Sequence, residues 1–304
     1  MEMFYTSIQW IFFFYLYSFL GWCYESSYVS LKQKRWVNRG FMRGPFLPLY
    51  GSGAIMMLVV SIPFKDNIIL TFIAGCIGAS ILEYITGVTM ESLFKVRYWD
   101  YTSRKFNFQG HICLAATLIW GIFTVLLTIF IHKPVEKMVL SMPYMAIKII
   151  TAGLTIFIVS DFTLSFKTAL DLRDVLVKMD KIKQELARMQ RRLDVILAIA
   201  GETKDNTIQY TSERADDIIE SLENQFRKLK GMLPKLDLSD DKKEELTELR
   251  IKLGVHKERK FQLSHMKDFY RNEMIKGNPT MISIKFKEGL EEIKSAVNKT
   301  RQKK

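Results

Sequence analysis

From Met3 to Tyr24 the chain runs for 22 residues without a formal charge, between Glu2 and Glu25. A bilayer core about 30 Å thick takes about 20 apolar helical residues to cross. Four further stretches share this character: Gly44–Phe64 between Arg43 and Lys65, and Asn67–Leu82, which continues as helix-like sequence through Glu83 to about Phe94; then Phe106–Ile131, whose one ionisable residue is His111, and Tyr144–Phe166, broken by Lys148 and Asp161. Lipid leaves backbone amides no water to bond, so such runs cross it as helices. The pattern predicts an all-α fold: a polytopic membrane bundle of about five transmembrane helices over residues 1–166.

Basic residues in short loops set the orientation, because Lys and Arg stay on the cytoplasmic side. The Glu25–Arg43 loop holds Lys32, Lys34, Arg35, Arg39 and Arg43, and the loop after the third span holds Lys95, Arg97, Arg104 and Lys105. The other two loops are poorer, with Lys65 in one and Lys133 and Lys137 in the other. Five crossings with the N-terminus outside satisfy this, and place the C-terminal region in the cytoplasm. The first apolar run lacks a basic n-region and is longer than an h-region, so it reads as a retained helix rather than a cleaved signal peptide.

Charge divides the chain in the same way. Residues 1–166 hold 13 Lys+Arg and 8 Asp+Glu, against 31 and 24 in residues 167–304. The excess of bases marks the cytoplasmic side of a membrane protein, and its interspersion with acids argues against nucleic-acid binding. Cys23, Cys76 and Cys113 lie in apolar stretches with no C-x-x-C spacing, as small buried hydrophobes do.

The second region, 167–304, reads as cytoplasmic helices. Val175, Met179, Ile182, Leu186, Met189, Leu193 and Ile196 alternate spacings of four and three, a coiled-coil seam predicting self-association or a protein partner through 175–196. Polar residues over 201–209 break the pattern. Thr211 and Ser212 can cap a helix carrying Ile219, Leu222, Phe226, Leu229 and Leu233, which Pro234 ends. Asp240, Asp241, Glu244 and Glu245 open another helix, predicted to reach Lys276 before Gly277 and Pro279. A last amphipathic stretch carries Ile282, Phe286, Leu290, Ile293 and Val297, followed by Lys299, Arg301, Lys303 and Lys304, which suit lipid headgroups.

Charged groups inside a bilayer cost at least about 2.5 kcal/mol each on insertion scales, so they face a bundle interior or a hydrated cavity. Glu25, Glu83, Glu91, Asn107, His111 and Asp161 all converge on the predicted cytoplasmic leaflet, where Arg39 and Asp100 stand at the same level. Glu83 and Glu91 sit about 80° apart around one helix and about 12 Å apart along it, too far to act as a close pair. Gly75, Ala79, Glu83, Gly87 and Glu91 form a row at spacing four that lets another helix approach, either to build a polar site or only to pack. Glycines and prolines from Gly40 to Gly53 make a regular helix unfavourable at the start of the second span, leaving either a cavity lining or a tight turn.

Gly21-Trp-Cys-Tyr-Glu25, Asn38-Arg-Gly-Phe, Pro48-Leu-Tyr-Gly-Ser-Gly-Ala54, Leu82-Glu-Tyr-Ile-Thr-Gly87 with Glu91, Trp99-Asp-Tyr101 and Asn107-Phe-Gln-Gly-His-Ile-Cys-Leu114 follow one another in order. Together they resemble the signatures of the CmpB-like family of bacterial membrane proteins, labelled putative ABC transporter type IV. The resemblance covers about residues 8–166, ends with Asp161–Ser165, and excludes the tail. His111 departs from it, standing where the family pattern is expected to have arginine. The motifs add Asn38, Tyr50 and Trp99 to the candidate polar site.

What the resemblance implies is a plasma-membrane permease-like protein, with no settled substrate or catalytic residues. No G-x-x-x-x-G-K-[ST] loop is present, so any ATPase would be a separate subunit. Neither H-E-x-x-H nor G-x-S-x-G occurs, which argues against an enzyme; no cofactor or metal motif stands out. Two alternatives stay open: an enzyme acting on lipid headgroups, and a membrane scaffold or sensor.

Overall fold

The computed structural model describes residues 5–64, 66–199, 214–232, 239–265 and 268–302. The predicted break over 201–209, Thr211, Ser212, Leu233, Pro234, Lys65, Lys303, Lys304 and the Arg301 side chain lie outside them. The fold is all-α, and the chain divides into two compact units, Met1–Leu172 with Asp268–Ile284, and Arg173–Lys267 with Lys285–Lys304. The first unit thus includes 17 residues from far down the tail, beyond the sequence division at residue 166.

In the first unit, α1 (Ser7–Gln33) starts at a capping box between Thr6 and Gln9 and stops at Lys34, which takes a left-handed φ of 51°. Helix α2 (Pro48–Ser61) begins with proline at its first position, where the missing N–H costs nothing, and runs into a 3₁₀ turn at Ile62–Phe64. Residues 44–47 are not helical, so the second apolar run yields a helix shorter than its uncharged length. Asn67 caps α3 (Ile68–Phe94) by accepting from the Ile69 and Leu70 amides.

A two-residue hairpin pairs β1 (Asn107–Phe108) antiparallel with β2 (Ile112–Cys113), Asn107 opposite Cys113. Gly110, at φ +74°, makes its turn possible. Next come α4 (Leu114–Leu126), a π turn at Leu127–Ile131 and α5 (His132–Ser141). The sequence predicts a loop carrying Lys133 and Lys137 there, but the helical path continues to Ser141. Helix α6 (Tyr144–Ile199) is a single helix of 56 residues.

Helix α3 shows why this unit suits lipid. Ile69, Ile73, Ile77, Ile81 and Ile85 are all exposed, from 45% to 70%. Two positions on from Gly75, Ala79 and Glu83, each isoleucine sits about 200° around the helix, on the opposite face. Gly75, Ala79, Glu83 and Gly87 are buried, so the small and polar row faces the bundle and the branched apolar row faces outward. At Gly75 a Cβ would run into the Thr124 side chain of α4, so glycine there sets how close the two helices come. Phe13, Tyr17, Met57, Leu58, Leu127, Val139 and Ile147 form the main buried cluster. Among the described residues three helices are long and apolar enough to cross a membrane: Ile68–Phe94, Leu114–Ser141 and Tyr144–Ala198.

In the second unit, the later part of α6 lies with α7 (Ala215–Met232), α8 (Asp240–His265) and α10 (Lys287–Gln302). Val175, Met179, Ile182, Leu186, Met189, Leu193 and Ile196 are all buried. The seam expected to meet a partner is covered by the chain's own helices. Gln190 donates to Ser221 and Gln225 to Asp194 on the α7 side, and Lys183 pairs with Glu288 of α10 at 2.7 Å. Where one helix is predicted from Asp240 to Lys276, α8 is described to His265, and Asp268, with extended backbone, caps a separate α9 (Phe269–Gly277) by accepting from the Arg271 amide. Ile282 pairs with Arg97 as an isolated antiparallel bridge in the first unit, while Phe286, Leu290, Ile293 and Val297 are buried in the second.

Candidate functional site

Within the first unit one loop joins the end of α1 to the start of α2 and another joins the end of α3 to the start of α4, and the candidate polar residues lie in or near these loops, except Glu83 inside α3 and Asp161 in α6. They form two clusters and three local ties.

The first cluster surrounds a cavity of about 380 Å³. Glu25 of α1, Arg39 of the following loop, Tyr50 in the first turn of α2, Glu83 of α3, and Trp99 and Tyr101 of the loop after α3 all line it, with Trp120 of α4. Phe41, Leu47, Met90 and Phe162 supply apolar wall. Tyr50 donates to Glu25 Oε2 at 2.8 Å, and Arg39 Nε reaches Glu25 Oε1 at 3.5 Å. Glu83, only 5% exposed, accepts from Tyr101 Oη at 3.1 Å and Trp120 Nε1 at 2.9 Å. Burial, then the neighbouring Glu83 carboxylate, raises the Tyr101 phenol's pKa, so it stays a donor.

The loop before α2 holds its shape partly by giving freed amides protein partners. The Val37 amide donates to Ser30 Oγ, Arg39 to Ser26 Oγ and Leu47 to the Ser18 carbonyl. That is what irregular backbone among membrane helices requires. Gly40 turns here at φ +128°.

Residues after α9 close one side. Asn278 is 1% exposed; its Oδ1 accepts from Arg39 Nη1 at 2.6 Å, and its Nδ2 donates to the Gly40 carbonyl at 2.8 Å. Thr280 accepts from Arg39 Nη2 at 3.3 Å, and Ser283 donates to the Lys95 carbonyl at 2.6 Å.

The second cluster centres on Arg97. Its Nε meets Glu91 Oε2 at 2.7 Å and its Nη1 meets Asp100 at 3.3 Å, while His111 Nε2 lies 3.2 Å from the same Glu91 oxygen. Burial and then Arg97 lower the His111 pKa, against the pull of Glu91 and Asp100. Trp99 links the clusters, donating from Nε1 to the His111 carbonyl at 3.0 Å.

The three remaining candidates are tied locally. Asn38 accepts from Trp22 and donates to the Arg43 carbonyl; Asn107 braces its loop through the Thr102 and Arg104 carbonyls; Asp161 accepts from the Gly44 amide at 2.8 Å. Sequence reasoning missed Trp120 and Asn278. Trp120 sits in an uncharged run that reads as lipid-facing, and Gly277-Asn-Pro279 reads only as a helix stop.

A family model described as putative ABC-transporter type IV matches residues 12–166. No curated protein and no solved structure matches the chain.

Proposed function

Since the chain belongs to the putative ABC-transporter type IV family, we propose that it is a permease-like membrane component whose ligand site is the cavity between Glu25, Arg39, Tyr50 and Glu83. One observation carries the reading: polar side chains from α1, α2, α3 and two loops meet around a space of about 380 Å³, within the range that binds small molecules. Ion pairs serving helix packing alone would close up against one another, as Arg97 and Glu91 do.

On this reading the membrane is crossed five times, by α1, by α2 with its 3₁₀ turn, by α3, by α4 through α5, and by the first part of α6. Helix α1 is uncharged from Ser7 to Tyr24 and rich in aromatic residues that suit a bilayer interface. The basic loops put the cavity at the cytoplasmic leaflet of a multi-pass plasma-membrane protein, with the N-terminus outside and the tail inside. Energy coupling comes from a separate ATPase subunit. Lipid headgroups contact the basic loops, and the candidate site comprises Glu25, Arg39, Tyr50, Glu83 and Trp99.

An enzymatic reading draws less support. Of its acid–base candidates Glu25, Glu83, Asp100 and His111, the last two are engaged with Arg97 and Glu91 and do not line the cavity, while Glu25 and Glu83, which do, already accept from Tyr50, Tyr101 and Trp120. Reconstitution of the full chain in liposomes, with and without candidate ATPases, tests the proposal: ligand binding or flux is expected, and the absence of both overturns it.

A further inference from the structure

The cavity's charges do not balance. The charged side chains lining it are Glu25, Glu83 and Arg39. Arg39 is spent on neighbours: Nε on Glu25, Nη1 on Asn278, and Nη2 on the Tyr98 carbonyl and Thr280. That leaves it little to offer an anion. Glu83, by contrast, has only neutral donors, the Tyr101 hydroxyl and the Trp120 indole; among the described residues no Lys, Arg or His pairs with it. A buried carboxylate on the wall of a cavity, without a protein counter-charge, asks for a cation from elsewhere.

The rest of the wall says which kind. Tyr50, Tyr98, Trp99, Tyr101 and Trp120 line the same space, and the Tyr50 and Trp120 rings stand 6.2 Å apart. Aromatic faces attract ammonium groups, Trp most strongly. A bare metal ion fits poorly, since it needs several oxygen or nitrogen ligands and no group of three His, Cys, Asp or Glu gathers among the described residues. A space of about 380 Å³ suits an organic ion.

We infer that the cavity takes an organic ammonium ion, with Glu83 as its counter-charge and Tyr50, Trp99, Tyr101 and Trp120 as its aromatic wall. The inference rests on the reading of this cavity as a ligand site. Its ammonium group belongs either to a free small cation or to a phospholipid headgroup.

The test uses the full chain purified in a maltoside detergent, which carries no ammonium, with binding followed by calorimetry and by tryptophan fluorescence. Four probes are compared: choline, its neutral isostere 3,3-dimethylbutan-1-ol, dihexanoylphosphatidylcholine, and the anionic dihexanoylphosphatidylglycerol. Binding of choline or of the phosphatidylcholine is expected, with the isostere and the anionic lipid at least about tenfold weaker. Preference for choline identifies a free cation, and preference for the phosphatidylcholine identifies a headgroup; either supports the inference. Glu83→Gln is expected to weaken the cation by about tenfold or more. Should that variant fail to fold, charged-over-neutral selectivity in the native chain decides alone. Equal binding of choline and its isostere, or preference for the anionic lipid, overturns the inference and leaves the ligand site standing. No binding of any probe overturns both.

Discussion

Arg39 and Asn278 are 239 positions apart in sequence and meet at 2.6 Å, guanidinium to amide oxygen, at the edge of the cavity. The same amide serves the Gly40 and Met274 carbonyls from its other end. Asn278→Ala strips all three contacts at a buried position, and is expected to cost about 1–3 kcal/mol, the range for buried polar groups left unmet. Thermal unfolding in detergent, with proteolysis of residues 268–284 as a local readout, measures it. A variant that melts and resists protease like the native chain would show that this segment is held by other contacts.

Gly75 and Thr124 fix the approach of α3 to α4. Adding a methyl group in Gly75→Ala drives a Cβ into the Thr124 side chain and is expected to destabilise by about 1–3 kcal/mol. Combining it with Thr124→Gly removes the Cβ as well as the rest of that side chain, so the double variant should recover part of the loss. A double-mutant cycle reads this directly, and strict additivity would deny the contact.

His111 gives stability an acid dependence whose sign follows from its lowered pKa. The unfolded chain, near the ordinary value of about 6.5, takes up the proton more readily than the folded one. Stability is therefore unaffected above that pH and falls as pH drops below it, until the folded imidazole is protonated too. His111→Gln should flatten the fall in melting temperature as pH drops below about 6.5. An unchanged slope would assign it to other groups.

Lys260 holds the second unit together near α10. Only 6% exposed, it reaches Asp216 at 2.7 Å and Glu292 at 2.9 Å. Burial opposes its charge, yet those two bonds prevail and raise its pKa. Its stabilisation is thus complete below the ordinary lysine value of about 10.5 and disappears as pH rises through the folded value. Lys260→Ala should cost about 1–3 kcal/mol by urea unfolding at neutral pH, moderated because Asp216 is largely exposed. No change would mean that both carboxylates find water instead.

What could be read from sequence follows from range. Uncharged length and the four-residue row on α3 are local patterns, so the all-α membrane fold and the inward face of Gly75–Gly87 were visible. Glu25, Arg39, Tyr50 and Glu83 were visible as polar groups out of place among apolar ones. Trp120 was not, because an indole among leucines looks lipid-facing until Glu83 is seen to accept a hydrogen bond from it. Asn278 was hidden because its partners, Arg39 and Gly40, depend on a long-range return of the chain. The break at Asp268 was missed for a different reason: an acidic cap inside a charged helix differs little in composition from its neighbours. The seam at 175–196 has the right period for a partner helix, but period alone does not say whether that helix belongs to another chain.

The π turn at Leu127–Ile131 makes this stretch sensitive to length rather than to composition. One extra residue in a helix rotates everything beyond it by about 100° relative to everything before it. That offset lets a single helical path bury Gly121 and Thr124 on one side of the turn and His132 on the other, where both imidazole nitrogens meet tyrosine hydroxyls, Tyr5 at 2.9 Å and Tyr17 at 2.7 Å. The path from α4 to α5 therefore keeps its count: substitutions within the turn change one side chain, whereas a single deletion would swing the whole of α5 off its inward face.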